Sequence, residues 1–305
     1  MSELNKRDDL KSYQGLFVVD LDGTLLTSEK RVAPIDLAAL FRLRQKGFLV
    51  AAATGRSNHS FALLMEELGY GEGDTLFPVD YVIFSTGAGI LDYRGNRLLK
   101  KNSLGSSDVR SAAAYLENAG LDFMIHRPVP DTRYFHYSHN GSDNPDFYRR
   151  LEIYNDFATL LTPETLLNFG DATEIICIVP GHNDLNSRNG NNGHEVAAAI
   201  AAACRQCNVI KATSPLDGQS MWIEIFPPTV SKSQAVEWLI DNLGLQRKVV
   251  CAVGNDYNDE DLLHWAGQGF LVANGPPSLK ALFQSVASND NGGVSEAVSR
   301  WLSAL

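Results

Sequence analysis

The chain has little cysteine and lacks any long apolar run. Its 305 residues include four cysteines, and no stretch approaches the roughly 18 consecutive apolar residues that a membrane-spanning helix needs. Residues 1–15 contain no apolar segment, so they predict neither a signal peptide nor a membrane anchor. We therefore expect a cytoplasmic location.

The cysteines do not have the spacing of a zinc knuckle. Cys177 and Cys251 lie within apolar, strand-like runs, where a thiol behaves as a small hydrophobic group. Cys204 and Cys207 form a C-x-x-C at the end of an alanine-rich helical pattern, with no second pair to complete a metal site. A structural role is therefore predicted for all four, in preference to a redox or zinc role.

The sequence also lacks an excess of positive charge. Its formal net charge is −10, whereas nucleic acids and anionic membranes require a basic face on the protein that binds them. Neither is expected as a partner. An acidic protein that handles an anionic substrate must concentrate positive charge locally, from a metal ion or from a few lysines and arginines.

Short apolar runs near both ends of the chain are typical of strands that are buried on both faces. They lie at residues 16–20, 48–53, 81–85, 248–253 and 269–273. Helical patterns separate these runs, including one that begins at Pro34. Strands joined in this way pair in parallel through right-handed crossovers. The pattern therefore predicts an α/β fold with a doubly wound, Rossmann-like parallel sheet.

The middle of the chain has a different pattern. Helices are predicted near 106–119 and 194–206, with a Gly- and Asn-rich loop at 181–193. Polar and aromatic residues alternate through 131–139, which is typical of an antiparallel sheet with one solvated face. This segment therefore predicts a separate α+β structure.

The simplest architecture is a core domain that is interrupted in sequence. We predict that residues 1–87 and 216–305 form the parallel-sheet core. An α+β cap domain is then inserted at residues 88–215.

Two acidic residues directly follow the first apolar strand, in the sequence Asp20-Leu21-Asp22-Gly23-Thr24. Doubly wound sheets place their sites at the carboxyl ends of strands, and alternation along a strand sends Asp20 and Asp22 to the same side. Two carboxylates this close repel each other unless a cation lies between them or one is protonated. A plain turn also favours aspartate and glycine, but two acids after a buried strand still need a charge partner. The motif therefore predicts a functional site.

A second motif, Ala53-Thr54-Gly55-Arg56, follows the next buried strand and precedes a helix. A hydroxyl, an unhindered glycine amide and a helix N-terminus together form a cradle for an anion. Taken alone, the motif is equally compatible with an ordinary loop.

A lysine is predicted in the first turn of a later helix. Ser231 and Gln234 have the spacing of a capping box, which places Lys232 just inside the helix. A cation there interacts unfavourably with the helix dipole, by about 0.3–1 kcal/mol when it is exposed. Nearby anions would compensate for this cost and would give the lysine a functional role. The alternative is a solvated surface lysine.

The fourth motif, at residues 254–260, has the sequence Gly-Asn-Asp-Tyr-Asn-Asp-Glu and follows the strand predicted at 248–253. Together with Asp20 and Asp22 it provides hard oxygen ligands at one edge of the sheet, which suit Mg²⁺ rather than zinc. Acidic residues also belong in the first turn of a helix. Four separate loops that converge on one edge nevertheless favour a magnesium site.

These four segments, in this order, resemble the haloacid dehalogenase (HAD) superfamily of phosphohydrolases. They are most similar to its Cof-like branch, which carries a large α/β cap of type IIB between the second and third motifs. The resemblance covers essentially the whole chain, including a similar tail. Its specific parts are DLDGT at 20–24, ATGR at 53–56, VSKSQA at 230–235 and GNDYND at 254–259.

The resemblance implies a catalytic mechanism. Asp20 would attack phosphorus and become an aspartyl-phosphate, while Asp22 would protonate the leaving oxygen and later take a proton from water. Thr54 and Lys232 complete the implied catalytic set. The groups implied to hold the phosphoryl group are Thr54, Gly55, Arg56, Lys232 and Asn258. The groups implied to hold Mg²⁺ are Asp20, Asp22 through its carbonyl, Asn255, Asp256 and Asp259.

One position departs from the branch's pattern of Gly-Asp-x-x-Asn-Asp. Asn255 stands where the pattern has aspartate, and an amide oxygen can ligate Mg²⁺ without bringing negative charge. Either Asn255 binds the ion more weakly, or Asp256 or Asp259 takes over. We favour Asn255 near the metal with Asp259 supporting it, and Asp256 as the replacement ligand. Asn258 fits the pattern and is expected to organise the loop.

The predicted function is a Mg²⁺-dependent phosphatase, monomeric or homodimeric, that hydrolyses a small phosphorylated metabolite such as a sugar phosphate. A sugar phosphomutase of the same superfamily is the alternative enzyme. A non-catalytic protein that binds a phosphate ligand is the alternative outside the enzymes. A dinucleotide-binding enzyme is a poor fit, because no G-x-G-x-x-G follows the first strand.

The cap also contributes polar groups that could contact sugar hydroxyls or a second anion, although surface exposure is the commoner role of such residues. These groups are His126, Arg127, Arg133, Tyr134, His136 and Tyr137.

Overall fold

The computed structural model describes residues 13–70, 76–181 and 193–305. The Gly- and Asn-rich loop predicted at 181–193 lies almost entirely outside these residues. The chain divides into two compact units, of which the second contains residues 101–230 and a short piece near residue 58. The first unit contains the remaining residues and is called the core below, and the second is called the cap.

The described residues contain fourteen strands and ten α-helices. The strands are β1 (Leu16–Val19), β2 (Leu49–Ala53), β3 (Tyr81–Phe84), β4 (Gly89–Asp92), β5 (Arg97–Lys101), β6 (Phe123–His126), β7 (Phe135–Ser138), β8 (Ala158–Leu160), β9 (Glu174–Val179), β10 (Asn208–Thr213), β11 (Met221–Phe226), β12 (Val250–Gly254), β13 (Gln268–Val272) and β14 (Gln284–Val286). The helices are α1 (Pro34–Gln45), α2 (Asn58–Glu67), α3 (Ser106–Asn118), α4 (Pro145–Ile153), α5 (Pro163–Leu167), α6 (Gly193–Ala203), α7 (Lys232–Leu243), α8 (Glu260–Trp265), α9 (Pro277–Lys280) and α10 (Gly293–Ala304). No helix in the described part of the chain is both long and apolar enough to cross a membrane.

The core sheet has the strand order β14-β13-β12-β1-β2-β3-β4-β5. Neighbouring strands from β14 to β3 are parallel, and β4 is antiparallel to β3. From β1 the chain adds β2 and β3 on one side, and later adds β12, β13 and β14 on the other. The strand order thus reverses at β1, and such a reversal opens a crevice at the carboxyl ends of the strands. The predicted doubly wound parallel sheet is confirmed.

Helices cover both faces of this sheet because the central strand is apolar on both sides. Leu16 and Val18 of β1 pack in one cluster with Leu239 of α7. Phe17 points to the opposite face, where its ring lies 5.9 Å from that of Trp301 in α10. All of these side chains are almost completely buried. The strand is therefore held rigidly at the place where Asp20 follows it.

The cap sheet has the order β10-β11-β9-β6-β7-β8, and all of its neighbouring strands are antiparallel except β7 and β8. Helices α3 and α6 cover one face through Val109 and Ile200. Cys177 belongs to the same apolar cluster, and Cys204 and Cys207 pack against it. The predicted α+β cap is confirmed.

The division between core and cap lies away from the predicted limits of 88 and 215. Strands β4 and β5 extend the core sheet beyond β3, and β11 lies in the cap sheet between β10 and β9. The units accordingly divide after residue 100 and after residue 230. The apolar sequence of β11 has the composition of a core strand, and its position is decided by antiparallel pairing with β9. That partner is distant in sequence, so the sequence pattern did not indicate it.

Candidate active site

The ends of three strands of the core sheet lie at one level. Val19, the last residue of β1, lies opposite the fourth residue of β2 and the fourth residue of β12. The loops that begin with Asp20, Thr54 and Asn255 therefore leave the sheet at the same edge. This edge lies at the strand-order reversal, where the sequence motifs were predicted to converge.

A fully buried lysine joins two of these loops. Nζ of Lys232 donates to Oδ1 of Asp20 at 2.9 Å and to Oδ1 of Asp259 at 2.6 Å. Lys232 and Asp259 are 0% exposed, and Asp20 is 5% exposed. Helix α7 begins at Lys232, and Ser231 caps it by accepting from the amide of Gln234. Charges this deeply buried are tolerated only when they are paired.

The pKa values of this cluster reflect burial and mutual attraction. Burial raises the pKa of Asp20 to about 7; the charge of Lys232 opposes this shift, and that of Asp259 adds to it. Burial alone would lower the pKa of Lys232, but Asp20 and Asp259 outweigh it and raise that pKa. Lys232 therefore stays positive, and Asp20 requires a second positive charge to be fully ionised near neutral pH.

The carboxylate of Asp259 is fully engaged by the protein. Its Oδ1 accepts from Lys232, and its Oδ2 accepts from the main-chain amides of Asn255 and Asp256 at 2.9 and 3.2 Å. The side chain of Asp256 caps the short turn that follows it, and Asn258 lies within that turn. Asp256 and Asp259 therefore shape the loop, and Asp259 also holds Lys232.

Gly254 leaves room for this carboxylate, because a Cβ at position 254 would lie 2.4 Å from Cγ of Asp259. We expect Gly254→Ala to displace Asp259 from Lys232 and to lower the free energy of unfolding by about 1–3 kcal/mol. Urea denaturation would measure this change. Gly105→Ala is the control, since the nearest atom there is Oδ2 of Asp108 at 3.9 Å. Equal stability of the two variants would contradict the steric argument.

The side chain of Asp22 is turned toward the second motif. Nε and a terminal nitrogen of Arg56 donate to its two oxygens at 2.6 and 2.8 Å, and Nζ of Lys30 donates at 3.1 Å. Burial alone would raise the pKa of Asp22, but the hydrogen bonds and charges of Arg56 and Lys30 outweigh it and lower that pKa. Asp22 is therefore ionised at neutral pH. The sequence did not predict the contact with Lys30, which no motif includes.

The second motif rests on residues 85 and 86, which belong to none of the four sequence motifs. Oγ1 of Thr54 accepts from the amide of Arg56 at 3.1 Å, which closes the turn. Below this turn, the amides of Ser85 and Thr86 donate to the carbonyls of Arg56 and Thr54. Ser85 and Thr86 have φ angles of 45° and 53°, and such conformations cost about 1–3 kcal/mol each. The Ser-Thr-Gly sequence directly after β3 is the feature from which this supporting turn could have been predicted.

The side chain of Asn255 contacts the first motif. One atom of its amide group lies 3.2 Å from Oδ2 of Asp20, 3.0 Å from the carbonyl oxygen of Asp22 and 3.0 Å from Oγ1 of Thr24. The amide oxygen accepts there from Oγ1 of Thr24. A carboxylate and a carbonyl can only accept hydrogen bonds, so in the absence of a cation the nitrogen, with the amide turned, satisfies this position. In that orientation Asn255 donates to the same oxygens that would hold a cation.

These oxygens also fit Mg²⁺. With its oxygen turned inward, Asn255 would join Oδ2 of Asp20 and the carbonyl of Asp22 as three hard ligands. The two oxygens lie 3.0–3.2 Å from the amide atom. In an octahedral Mg²⁺ site with bonds of about 2.1 Å, neighbouring ligands are separated by a similar distance of about 3.0 Å. Among the described residues, no three His, Cys, Asp or Glu side chains form a metal site. An amide and a main-chain carbonyl supply the ligands instead.

Two asparagines from the end of the chain hold the first motif in place. Nδ2 of Asn274 donates to the carbonyl of Gly23 at 2.7 Å, and Nδ2 of Asn289 donates to the carbonyl of Leu26 at 3.0 Å. The amide of Asn289 in turn donates to Oδ1 of Asn274. Their roles were not predicted, although the similarity of the tail to the Cof-like branch was a signal.

The cap contains a cavity of about 490 Å³. Arg127 and His136, two of the polar cap residues singled out from the sequence, line it together with Asp131 and Asp171. His126 is instead buried, and burial together with the charge of Arg150 lowers its pKa to about 3. His126 is therefore neutral at physiological pH.

Comparisons with known proteins extend over both parts of the chain. A family model described as haloacid dehalogenase-like hydrolase matches residues 17–298. An HMP-PP phosphatase from Escherichia coli O6:H1 is 27% identical over 292 residues, covering 94% of this chain and 95% of that protein. A haloacid dehalogenase-like hydrolase from Bacteroides thetaiotaomicron has a TM-score of 0.66 and 21% identity, covering 95% of this chain and 99% of that one. A HAD subclass IIB sugar phosphatase has a TM-score of 0.70 and 17% identity, covering 94% and 98%.

Proposed function

The chain belongs to the haloacid dehalogenase-like hydrolase family, and on this premise we propose a Mg²⁺-dependent phosphatase that forms an aspartyl-phosphate on Asp20. The family, the type IIB cap and the hydrolysis of phosphoric monoesters were predicted from the sequence and are confirmed. The magnesium ion, the covalent intermediate and the substrate are the parts that the proposal adds.

One observation carries the proposal: the environment of the Asp20 carboxylate. One of its oxygens accepts from buried Lys232, and the other lies 3.2 Å from the amide of Asn255, which also contacts the carbonyl of Asp22. Burial raises its pKa to about 7, so a further positive charge is needed to keep it ionised. A divalent cation supplies that charge, and an ionised carboxylate held in this way is a competent nucleophile.

In the proposed reaction, an oxygen of Asp20 attacks phosphorus and the bond from phosphorus to the ester oxygen breaks. The leaving oxygen takes a proton from Asp22. Water then attacks phosphorus and breaks its bond to Asp20, giving its proton to Asp22 and releasing phosphate. Asp20, the Asp22 carbonyl and Asn255 would hold Mg²⁺, which neutralises charge on the phosphoryl group. Lys232 stabilises the carboxylate of Asp20 throughout.

Asp22 can protonate the leaving group only after its ion pair with Arg56 is broken. Both of its oxygens are occupied by Arg56, which favours the ionised form. A phosphoryl group is a strong bidentate partner for arginine, and Arg56 belongs to the predicted anion cradle with Thr54 and Gly55. Substrate binding would thus draw Arg56 away from Asp22 and let Asp22 take up a proton from solvent, which it then gives to the leaving oxygen.

The proposed substrate is a small phosphorylated metabolite, with a sugar phosphate as the leading class. The names of the E. coli relative and of the subclass IIB structure support small phosphorylated substrates. The net charge of −10 is unfavourable for anionic polymers. A cytoplasmic location, a monomeric or homodimeric state and the lack of nucleic-acid or membrane partners stay predictions.

The test of the proposal is hydrolysis of p-nitrophenyl phosphate by protein that has been stripped of metal with a chelator. We expect no phosphate release until Mg²⁺ is added, because Asp20 then gains the positive charge that it lacks. Full activity in the presence of excess chelator would refute the metal dependence. A panel of sugar phosphates and other phosphomonoesters would then identify the substrate.

The two alternative functions predict different products. A phosphomutase would form a sugar phosphate isomer in the presence of a bisphosphate activator, whereas a phosphatase releases phosphate. A non-catalytic binding protein would do neither, and it would not form the beryllofluoride complex with Mg²⁺ that mimics an aspartyl-phosphate. Phosphate and isomer would be quantified in the same reaction.

A further inference from the structure

Asn255 lies at the proposed metal site, so an inference about how this residue responds to Mg²⁺ rests on the proposed function. We propose that the amide group of Asn255 takes the place of the cation in the metal-free protein and must turn over before Mg²⁺ binds. The residue at position 255 then sets both the stability of the metal-free protein and the metal concentration that the enzyme requires.

The amide of Asn255 lies among the proposed metal ligands and can replace the cation there. One atom of the amide lies 3.2 Å from Oδ2 of Asp20 and 3.0 Å from the carbonyl of Asp22, and when that atom is the nitrogen it bridges two proposed metal ligands. The N–H groups carry partial positive charge, which is what these oxygens require when no metal is bound. Oγ1 of Thr24, at 3.0 Å, completes the surroundings of the nitrogen. The first motif is therefore held together without an ion.

Metal binding must reverse this orientation. An N–H group cannot ligate a cation, so the amide oxygen has to move into the position that the nitrogen occupies. With the nitrogen directed inward, the oxygen faces hydrogen-bond donors, so both ends of the amide are satisfied. Turning the amide loses the hydrogen bonds to Asp20 and Asp22 and leaves the nitrogen facing donors, while Oγ1 of Thr24 can still donate to the oxygen. Mg²⁺ therefore competes with an internal partner of the site.

Aspartate at position 255 would differ from asparagine in its effect on stability and on metal affinity. A carboxylate at this position could not donate to Asp20, and it would add a negative charge beside a carboxylate that already shares Lys232 with Asp259. Without metal, Asn255→Asp should therefore be less stable than the wild type. With metal, it should bind more tightly, because affinity rises with the charge of the ligands.

The test compares the wild type with Asn255→Asp by thermal unfolding in chelator and in Mg²⁺. We expect the variant to melt several degrees lower in chelator and to gain more than the wild type from Mg²⁺. Calorimetric titration with Mg²⁺ should give an affinity about 10-fold or more above that of the wild type. Electron paramagnetic resonance of bound Mn²⁺ would check the affinity independently of activity.

Two further variants keep the test decisive. Asn255→Ala removes the donor without adding a charge, so it should also lose stability in chelator but should gain little from Mg²⁺. Asn96→Asp makes the same change of charge on the exposed turn between β4 and β5, and it should match the wild type in both conditions. If Asn255→Asp does not fold, Asn255→Ala still tests the donor role of the amide.

The outcomes separate this inference from the proposed function. Equal melting temperatures in chelator and equal Mg²⁺ affinities for the wild type and Asn255→Asp would overturn the inference, even if both hydrolyse p-nitrophenyl phosphate. The expected pattern of stability and affinity without hydrolysis by either protein would support the inference and overturn the proposed function. Failure of both proteins to bind Mg²⁺ or Mn²⁺ would overturn both.

Discussion

Replacing Asp20 with asparagine is expected to abolish phosphate release and leave the protein folded. The amide cannot attack phosphorus, and the remaining groups of the site only position the substrate and neutralise charge. We expect kcat on p-nitrophenyl phosphate to fall by at least about 1,000-fold, as for loss of other nucleophiles. Initial rates in saturating Mg²⁺ would measure this effect.

The control for Asp20→Asn is Asp241→Asn, which removes one negative charge from an exposed position on α7. That variant should keep the wild-type rate. Beryllofluoride and Mg²⁺ should stabilise the wild type and Asp241→Asn against thermal unfolding, but not Asp20→Asn. Turnover by Asp20→Asn at the wild-type rate would exclude Asp20 as the nucleophile.

Asp20→Asn should also be more stable than the metal-free wild type at alkaline pH. The pKa of Asp20 is raised from 3.8 to about 7 in the folded protein, so the folded state binds a proton between these values that the unfolded state does not bind. The contribution of Asp20 to wild-type stability therefore improves as the pH falls from 8 to 4. Asp20→Asn lacks this titration. Its advantage in urea denaturation with chelator should be largest at pH 8 and should shrink toward pH 4.

Much of the site could be predicted because parallel strands meet at one edge of a sheet. The apolar runs fixed the directions of β1, β2 and β12, and the polar residues that follow them had to lie at the same edge. The sequence alone therefore indicated that Asp20, Thr54 and Asn255 are neighbours.

Other features depend on contacts that no local pattern encodes. The capping box located Lys232 at the start of α7, but its complete burial depends on Asp20 and Asp259 from two other loops. Likewise, Asn274 and Asn289 hold the first motif through main-chain carbonyls, which any sequence provides. The cap boundary followed from strand pairing over a long sequence separation. Such contacts are visible only when the fold is assembled.

Replacing Lys232 with methionine is expected to damage both stability and catalysis. The change leaves the carboxylates of Asp20 and Asp259 buried without their shared cation. Loss of one member of a buried ion pair costs about 3–5 kcal/mol, unless a carboxylate takes up a proton instead. Protonation of Asp20 would also remove the nucleophile, so we expect kcat to fall by about 100-fold or more. Urea denaturation and initial rates would measure the two effects, with exposed Lys101→Met as the control.

A second substitution separates these two effects. In Lys232→Met combined with Asp259→Asn, one buried negative charge is removed together with the cation, so the net charge of the cluster equals that of the wild type. We expect the double variant to recover much of the stability that Lys232→Met loses, while its activity stays low because nothing neutralises Asp20 and the phosphoryl group. Asp20→Asn and Lys232→Met would then change stability in opposite directions at pH 8, although both lower the rate of the same reaction. Wild-type activity in the double variant would show that Lys232 serves only to balance buried charge.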